Sequence, residues 1–126
     1  MSPLRCIAVD DNALFLFQLK TFIQATDWLE LVGTSSNPVQ AATFIIKEQP
    51  DVLFLDIEMP HVQGDSLLDW IAPKLTEFNK IPKVVIISAN QEKLSDPHPL
   101  VSLQLIKGSF TTEDQFEALI KSALLS

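Results

Sequence analysis

Five residues spread over the chain could do chemistry together: the adjacent Asp10 and Asp11, then Asp56, Ser88 and Lys107. All but Asp11 close a short apolar run: Cys6-Ile-Ala-Val-Asp10, Asp51-Val-Leu-Phe-Leu-Asp56, Lys83-Val-Val-Ile-Ile-Ser88 and Leu103-Gln-Leu-Ile-Lys107. Runs of this kind are strands covered on both faces. When such strands lie parallel, their carboxyl ends share one edge, and open α/β sheets bind ligands there. Four chain segments would thus deliver three acids, a hydroxyl and an amine to one place. Three carboxylates a few ångströms apart repel by several kcal/mol at an effective dielectric near ~20. Raised pKa values or a bound divalent cation relieve the repulsion. An all-oxygen site with room for water suits magnesium. With a cation present, an Asp carboxylate can attack phosphorus and form an aspartyl-phosphate. That reaction asks the protein mainly to place the phosphoryl group and neutralise its charge. Lys107 would supply fixed positive charge and Ser88 a hydroxyl donor. Plainer readings stand beside these. One of the two acids can cap the helix that starts near Asn12, Asp56 can end a strand in a turn, and a strand-end Lys can be a solvated charge.

The elements that must position these residues alternate between strand and helix, the pattern of a parallel sheet with crossover helices. A helix spans about Asn12 to Ala25, and Leu31-Val-Gly-Thr34 is a weaker second strand. Asn37-Pro38 opens a second helix as N-cap and first-turn proline, and Pro50 ends that unit. A third helix is expected over roughly Ser66 to Phe78. Between Ser88 and Lys107, Pro97 and Pro99 leave room for one short helical turn near Gln91–Ser95. Thr112-Glu-Asp-Gln115 is a capping box for the last helix, with Phe116, Leu119, Ile120, Ala123 and Leu124 as its apolar stripe. On the first helix, Phe15, Leu16, Leu19, Phe22 and Ile23 face the sheet, whereas Leu14 and Phe17 project to the opposite side among Gln18, Thr21 and Gln24.

With 126 residues, 47% of them apolar and 20% charged, the chain is one domain with its own core and no low-complexity segment. A net charge of −7 disfavours direct contact with nucleic-acid phosphate. The lone Cys6 excludes an internal disulfide and a four-cysteine zinc site. No apolar run approaches the roughly 18 residues that cross a bilayer, and the N-terminus lacks a signal-peptide pattern, so a cytoplasmic location is expected. His61 and His98 each neighbour a proline and read as loop surface residues, which leaves hydrolase chemistry based on a histidine without support.

These stretches together resemble the receiver domain of bacterial two-component response regulators, the CheY-like family. The resemblance rests on Val9-Asp10-Asp11-Asn12, on Asp51-Val-Leu-Phe-Leu-Asp56-Ile-Glu-Met-Pro60 with Gly64, on Val85-Ile-Ile-Ser88-Ala89 and on Leu105-Ile-Lys107, in family order over nearly the whole chain. It implies a flavodoxin-like, doubly wound, five-stranded parallel sheet of order 2-1-3-4-5 with about five helices, the fourth short or irregular here. It implies residues 1–126 as a single receiver domain without an output domain. Asp56 would be the phosphoacceptor. Mg2+ would be held by Asp11 directly, by Asp10 through water, by Asp56 and by the backbone carbonyl of Glu58. Ser88 and Lys107 would bind the phosphoryl group. The donor would be a sensor histidine kinase or a phosphotransfer protein, docking its phosphohistidine helices on the part of the first helix that carries Leu14 and Phe17. Such a domain assists its own phosphorylation and dephosphorylation and is expected not to be a turnover enzyme.

The chain departs from the family at three places. Lys107-Gly108 replaces the usual Lys-Pro, and since a cis bond without proline costs about 2.5–4 kcal/mol, a trans bond is expected. Gln104 stands where the family has an aromatic residue, so no aromatic rotamer switch is expected there. The proline-broken segment before the fifth strand alters the usual output face. Two other classes stay open: a pseudo-receiver that binds partners without phosphotransfer, and a magnesium-dependent phosphotransferase of the haloacid-dehalogenase type. The latter needs Asp-x-Asp after the first strand, where this chain has Asp10-Asp11-Asn12.

Overall fold

A computed structural model describes residues 2–57, 64–89 and 98–125, with 64–66 described by backbone alone. Strands β1 (Leu4–Val9), β2 (Leu29–Ser35), β3 (Val52–Asp56), β4 (Lys83–Ser88) and β5 (Val101–Ile106) form one parallel sheet in the order β2-β1-β3-β4-β5. Helices α1 (Ala13–Gln24), α2 (Pro38–Glu48), α3 (Gly64–Leu75) and α4 (Glu113–Leu124) complete the described elements. This is the doubly wound, flavodoxin-like order expected from the sequence.

The sheet has a core on each face, and the period-2 alternation of strand side chains sorts residues between them. Cys6 and Ala8 of β1, with Val52 and Phe54 of β3, pack with Phe15, Leu19, Phe22 and Ile23 of α1 and Phe116, Ile120 and Leu124 of α4. Their neighbours Ile7, Val9, Leu53 and Leu55 pack instead with Ala41, Ala42 and Ile45 of α2 and Leu67, Leu68, Ile71 and Leu75 of α3. Burial pushes the Cys6 thiol up to about 12. Three helix starts are capped as their sequences dictate. Asn12 accepts from the Phe15 N–H, Asn37 from the N–H groups of Val39 and Gln40, and Thr112 from the Gln115 N–H. The return bond of the last cap goes from the Thr111 N–H to Gln115 Oε1 (2.8 Å), one residue earlier than in the usual box.

Several element boundaries differ from the expectation. β2 runs from Leu29 to Ser35 rather than Leu31 to Thr34, because an edge strand with only Leu29 fully buried carries a weak apolar signal. β5 begins at Val101 and stops at Ile106, leaving Lys107 in the following turn. α3 starts at Gly64 and ends at Leu75, three residues before Phe78. Four helices are described where about five were expected, and the short turn at Gln91–Ser95, like Pro97, lies outside the described residues. The stripe of α4 is narrower than its pattern, since Leu119 is exposed. On α1, Leu16 is half-buried while Phe15, Leu19, Phe22 and Ile23 are buried as expected.

Candidate functional site

The central strands are apolar through their carboxyl halves until Asp10 just after β1, Asp56 at the end of β3 and Ser88 at the end of β4, which stand at the carboxyl rim of the sheet. Backbone hydrogen bonds extend the strand ladders into this rim. The Asp10 N–H donates to the Ser35 carbonyl (3.1 Å), the Ile57 N–H to that of Ile87 (3.1 Å), and the Lys107 N–H to that of Ser88 (2.8 Å). Asp56 is aligned with Ile87 across the β3–β4 ladder, which puts Ser88 at the same edge one residue further on.

Asp10 and Asp56 are each 1% exposed and Ser88 is fully buried, whereas Asp11 is exposed. The Lys107 ammonium lies 2.8 Å from Asp10 Oδ2 and 3.5 Å from Asp56 Oδ2, and 4.6 Å from the centroid of the Phe15 ring. The Asn12 N–H donates to Asp10 Oδ1 (2.8 Å), while Asn12 Oδ1 accepts from the Phe15 N–H (3.1 Å). Asn12 is therefore the cap of α1. The simpler reading, in which one of the paired acids does that job, falls away. The Asp11 carboxyl is pushed above the usual carboxylate range, first by partial desolvation and then by the neighbouring Asp56, with Lys107 opposing.

Of the residues singled out in the sequence, Asp10, Asp11, Asp56 and Lys107 come together and Ser88 shares their edge. Glu58 and His61 lie outside the described residues. His98, read as a surface loop residue, is half-buried. Its Nδ1 accepts from the Leu100 N–H (3.0 Å) and its Nε2 lies 3.5 Å from Asp69 of α3. Leu14 and Phe17 are 81% and 68% exposed on α1. The sequence reading missed the role of Asn12 and the contact of Phe15 with Lys107. An Asn before a first-turn aromatic was the available signal for the former.

One carboxylate oxygen from each of Asp10, Asp11 and Asp56 falls within 4.8 Å of the others. Ligands on opposite sides of an octahedral Mg2+ are about 4.2 Å apart. The donor set fits that ion with a shift of a few tenths of an ångström or one bridging water. Two further observations agree. With all groups ionised, three carboxylates face one ammonium, a deficit of two positive charges. Asp10 Oδ2 is buried and takes no hydrogen bond from a described residue, meeting only the Lys107 charge.

Lys107 and Gly108 are the central residues of a β-turn closed by the Ser109 N–H on the Ile106 carbonyl (3.0 Å), with Gly108 at φ +89°. A positive φ at the third residue alone defines a type II turn and favours glycine. The Lys107–Gly108 bond is trans, as expected. Proline, fixed near φ −65°, could not replace Gly108 without rebuilding the loop.

Residues 6–100 match the response regulator receiver domain family, and the chain belongs to it. It is 36% identical over 115 residues to the protein-glutamate methylesterase/protein-glutamine glutaminase of Enterobacter cloacae, covering 91% of this chain and 31% of that protein. Its structure is similar to the response regulator domain of Thermotoga maritima CheB, with a TM-score of 0.75, 24% identity and 98% of both chains covered. It is also similar to a chain of the CheX–CheY–BeF3–Mg complex of Borrelia burgdorferi, with a TM-score of 0.79 and 20% identity over 99% of this chain and 92% of that one. The dehalogenase-type alternative falls with the family match. One expectation is corrected. The protein was read as no turnover enzyme, yet several of the relatives it matches are named as enzymes, and the chain spans about a quarter to a third of their length. The receiver residues themselves carry no signature of the activity those relatives are named for.

Two outcomes follow from this geometry. Gly108→Ala should destabilise the fold by about 1–2 kcal/mol, although nothing lies within 4 Å of the added Cβ, because the cost is in the backbone. A lower urea midpoint at unchanged slope is the check. Without divalent cations, the raised Asp11 pKa means that the folded state holds its proton more tightly than the unfolded state does. Stability should then fall as pH rises through the carboxylate range. Asp11→Asn should raise Tm at neutral pH by about 2 °C, and an unchanged or lower Tm would contradict this.

Proposed function

We propose that this receiver domain accepts a phosphoryl group on Asp56 from the phosphohistidine of a sensor histidine kinase or a phosphotransfer protein. The observation that carries the reading is the Lys107 ammonium bridging Asp10 and Asp56 at a buried sheet edge, with Asp11 beside them. Mg2+ held by Asp10, Asp11 and Asp56, with the Glu58 carbonyl expected to join them, would neutralise phosphoryl charge. A carboxylate oxygen of Asp56 forms the new bond to phosphorus as the phosphorus–nitrogen bond of the donor breaks, and the electron pair leaves with the imidazole. Lys107 offers its charge to a phosphoryl oxygen, which requires the ammonium to loosen its hold on Asp10. Ser88, on the adjacent strand end, is the hydroxyl donor in this reading. A cytoplasmic location accords with such a donor. Among the described residues, no helix is long and apolar enough to cross a membrane.

The donor protein is proposed to dock on Leu14 and Phe17. Phe17 also lines a shallow groove of about 250 Å³ with Ala13, Leu16, Lys20, Thr34 and Ser36, between α1 and the end of β2. Two large apolar side chains this exposed, Leu14 three residues after Asp11 and Phe17 nearly a turn further along α1, support a contact patch on this helix.

With Mg2+ and acetyl phosphate, intact-mass measurement should show an adduct of about 80 Da that Asp56→Asn abolishes while the far-UV spectrum is unchanged. No adduct in the unsubstituted protein would favour the pseudo-receiver reading. Leu14→Ser combined with Phe17→Ser should slow transfer from the protein donor about tenfold, the usual loss when contacts worth about 1.4 kcal/mol go. Labelling by acetyl phosphate should stay within twofold, and equal loss with both donors would exclude docking.

A further inference from the structure

Phe15 was read from its spacing as a residue that packs on the sheet, and it does so, being buried in the core beside Leu19 and Phe22. Its ring has a second contact. The Lys107 ammonium sits over its face, 4.6 Å from the centroid. An aromatic face attracts a cation through its quadrupole, more so where water is scarce, and the Lys107 side chain is only 16% exposed. The contact belongs to a closed circuit. Asp10 Oδ1 accepts from the Asn12 N–H, Asn12 Oδ1 accepts from the Phe15 N–H, the Phe15 ring meets the Lys107 ammonium, and that ammonium returns to Asp10 Oδ2. A second tie closes the same circuit from behind. Phe110, three residues after Lys107 and just past the Gly108 turn, packs edge-on to Phe15 with centroids 6.2 Å apart at 62°. The loop that carries the acids and the loop that carries the lysine are thereby joined by a ring pair as well as by charge.

From this we propose that Phe15 is a positioning residue for Lys107. A lysine side chain has four rotatable carbons and a compact charge that solvates readily. With acids on one side only, it could reach Asp10 or Asp56 from many rotamers or turn out to water. The ring behind it removes those choices and leaves the charge aimed at the space between Asp10 and Asp56. It also provides a seat that survives the change of partner. When the ammonium shifts from Asp10 toward a phosphoryl oxygen, it can slide over the ring without losing it, as it would lose a directed hydrogen bond. The proposal rests on the phosphotransfer reading of Asp56 and adds to it the residue that aims the cation.

The test uses the whole chain with acetyl phosphate and Mg2+, together with NMR of the Lys107 side chain. In the unsubstituted protein, ring current should shift the Lys107 ε-methylene protons upfield, a signal that does not depend on phosphorylation. Phe15→Leu, which keeps an apolar side chain in the core, should abolish that shift and slow Asp56 labelling about fivefold. Phe15→Tyr should restore both. In a Lys107→Ala background, the further change Phe15→Leu should leave the labelling rate unchanged, because a residue acting only through Lys107 has nothing left to act on. Equal slowing in both backgrounds would assign Phe15 a structural role and overturn the proposal. So would an unshifted Lys107 methylene in the unsubstituted protein. If the shift is present but Asp56 is never labelled, the phosphotransfer reading itself fails, and the role of Phe15 in it fails too.

Discussion

Two carboxylates stand almost wholly out of water at the carboxyl edge of the sheet, and one ammonium makes that possible. Asp10 and Asp56 reach Lys107 from two different strand ends, and each is 1% exposed. A buried ionised carboxylate without a partner would neutralise itself by taking up a proton, and then it would be a poor nucleophile and a poor metal ligand. Lys107 compensates one charge, and with Asp11 beside them the three ionised carboxylates leave a deficit of two, the charge of a divalent cation. The strand order, the turn after β5 and the aromatic packing under α1 all bear on where that ammonium sits. The site is therefore underfilled with positive charge by design of its composition, and its remaining demand is for something that brings two more charges or rearranges the ones present.

The backbone holds this arrangement to tight tolerances. Hydrogen bonds from Asp10, Ile57 and Lys107 carry three of the strand ladders past their formal ends, so the first residues of the site-bearing loops are tied to the sheet. The rings of Phe15, Phe22, Phe54, Phe110 and Phe116 contact one another beneath the site. These rings come from α1, β3, the β5–α4 loop and α4. A displacement of the lysine loop is therefore felt first by α1 and α4, the two helices on that face.

What could be read in the sequence follows from how each residue is covered. β1, β3 and β4 are buried on both faces, so their apolar runs were plain and their final polar residues marked the rim. β2 lies at the sheet edge with a mixed burial pattern, and its ends were misjudged for that reason. β5, the other edge strand, is interrupted by Ser102 and Gln104, and its start was likewise placed late. Periodicity showed that Phe15 faces inward and that Leu14 and Phe17 face outward. It could not show that an inward ring meets a cation, because Lys107 is distant in the chain and nothing in spacing encodes the angle between a ring and an ammonium. The cap of α1 was open for the same kind of reason. Asp10 and Asp11 were the caps considered, yet Asn12 directly precedes Ala13 and takes the Phe15 N–H, while Asp10 accepts the Asn12 N–H and meets Lys107.

The buried Cys6 has a use that lies outside the site. It is the one thiol in the sequence, it lies in the middle of β1 with no exposed surface, and burial pushes its pKa up to about 12. Maleimides and iodoacetamides react with thiolate, which Cys6 does not offer while the domain stays folded. This domain is thus a quiet background for a single engineered surface cysteine. A fluorophore or spin label placed on any exposed helix position would report from that position alone, and modification of Cys6 would itself report that the sheet had opened.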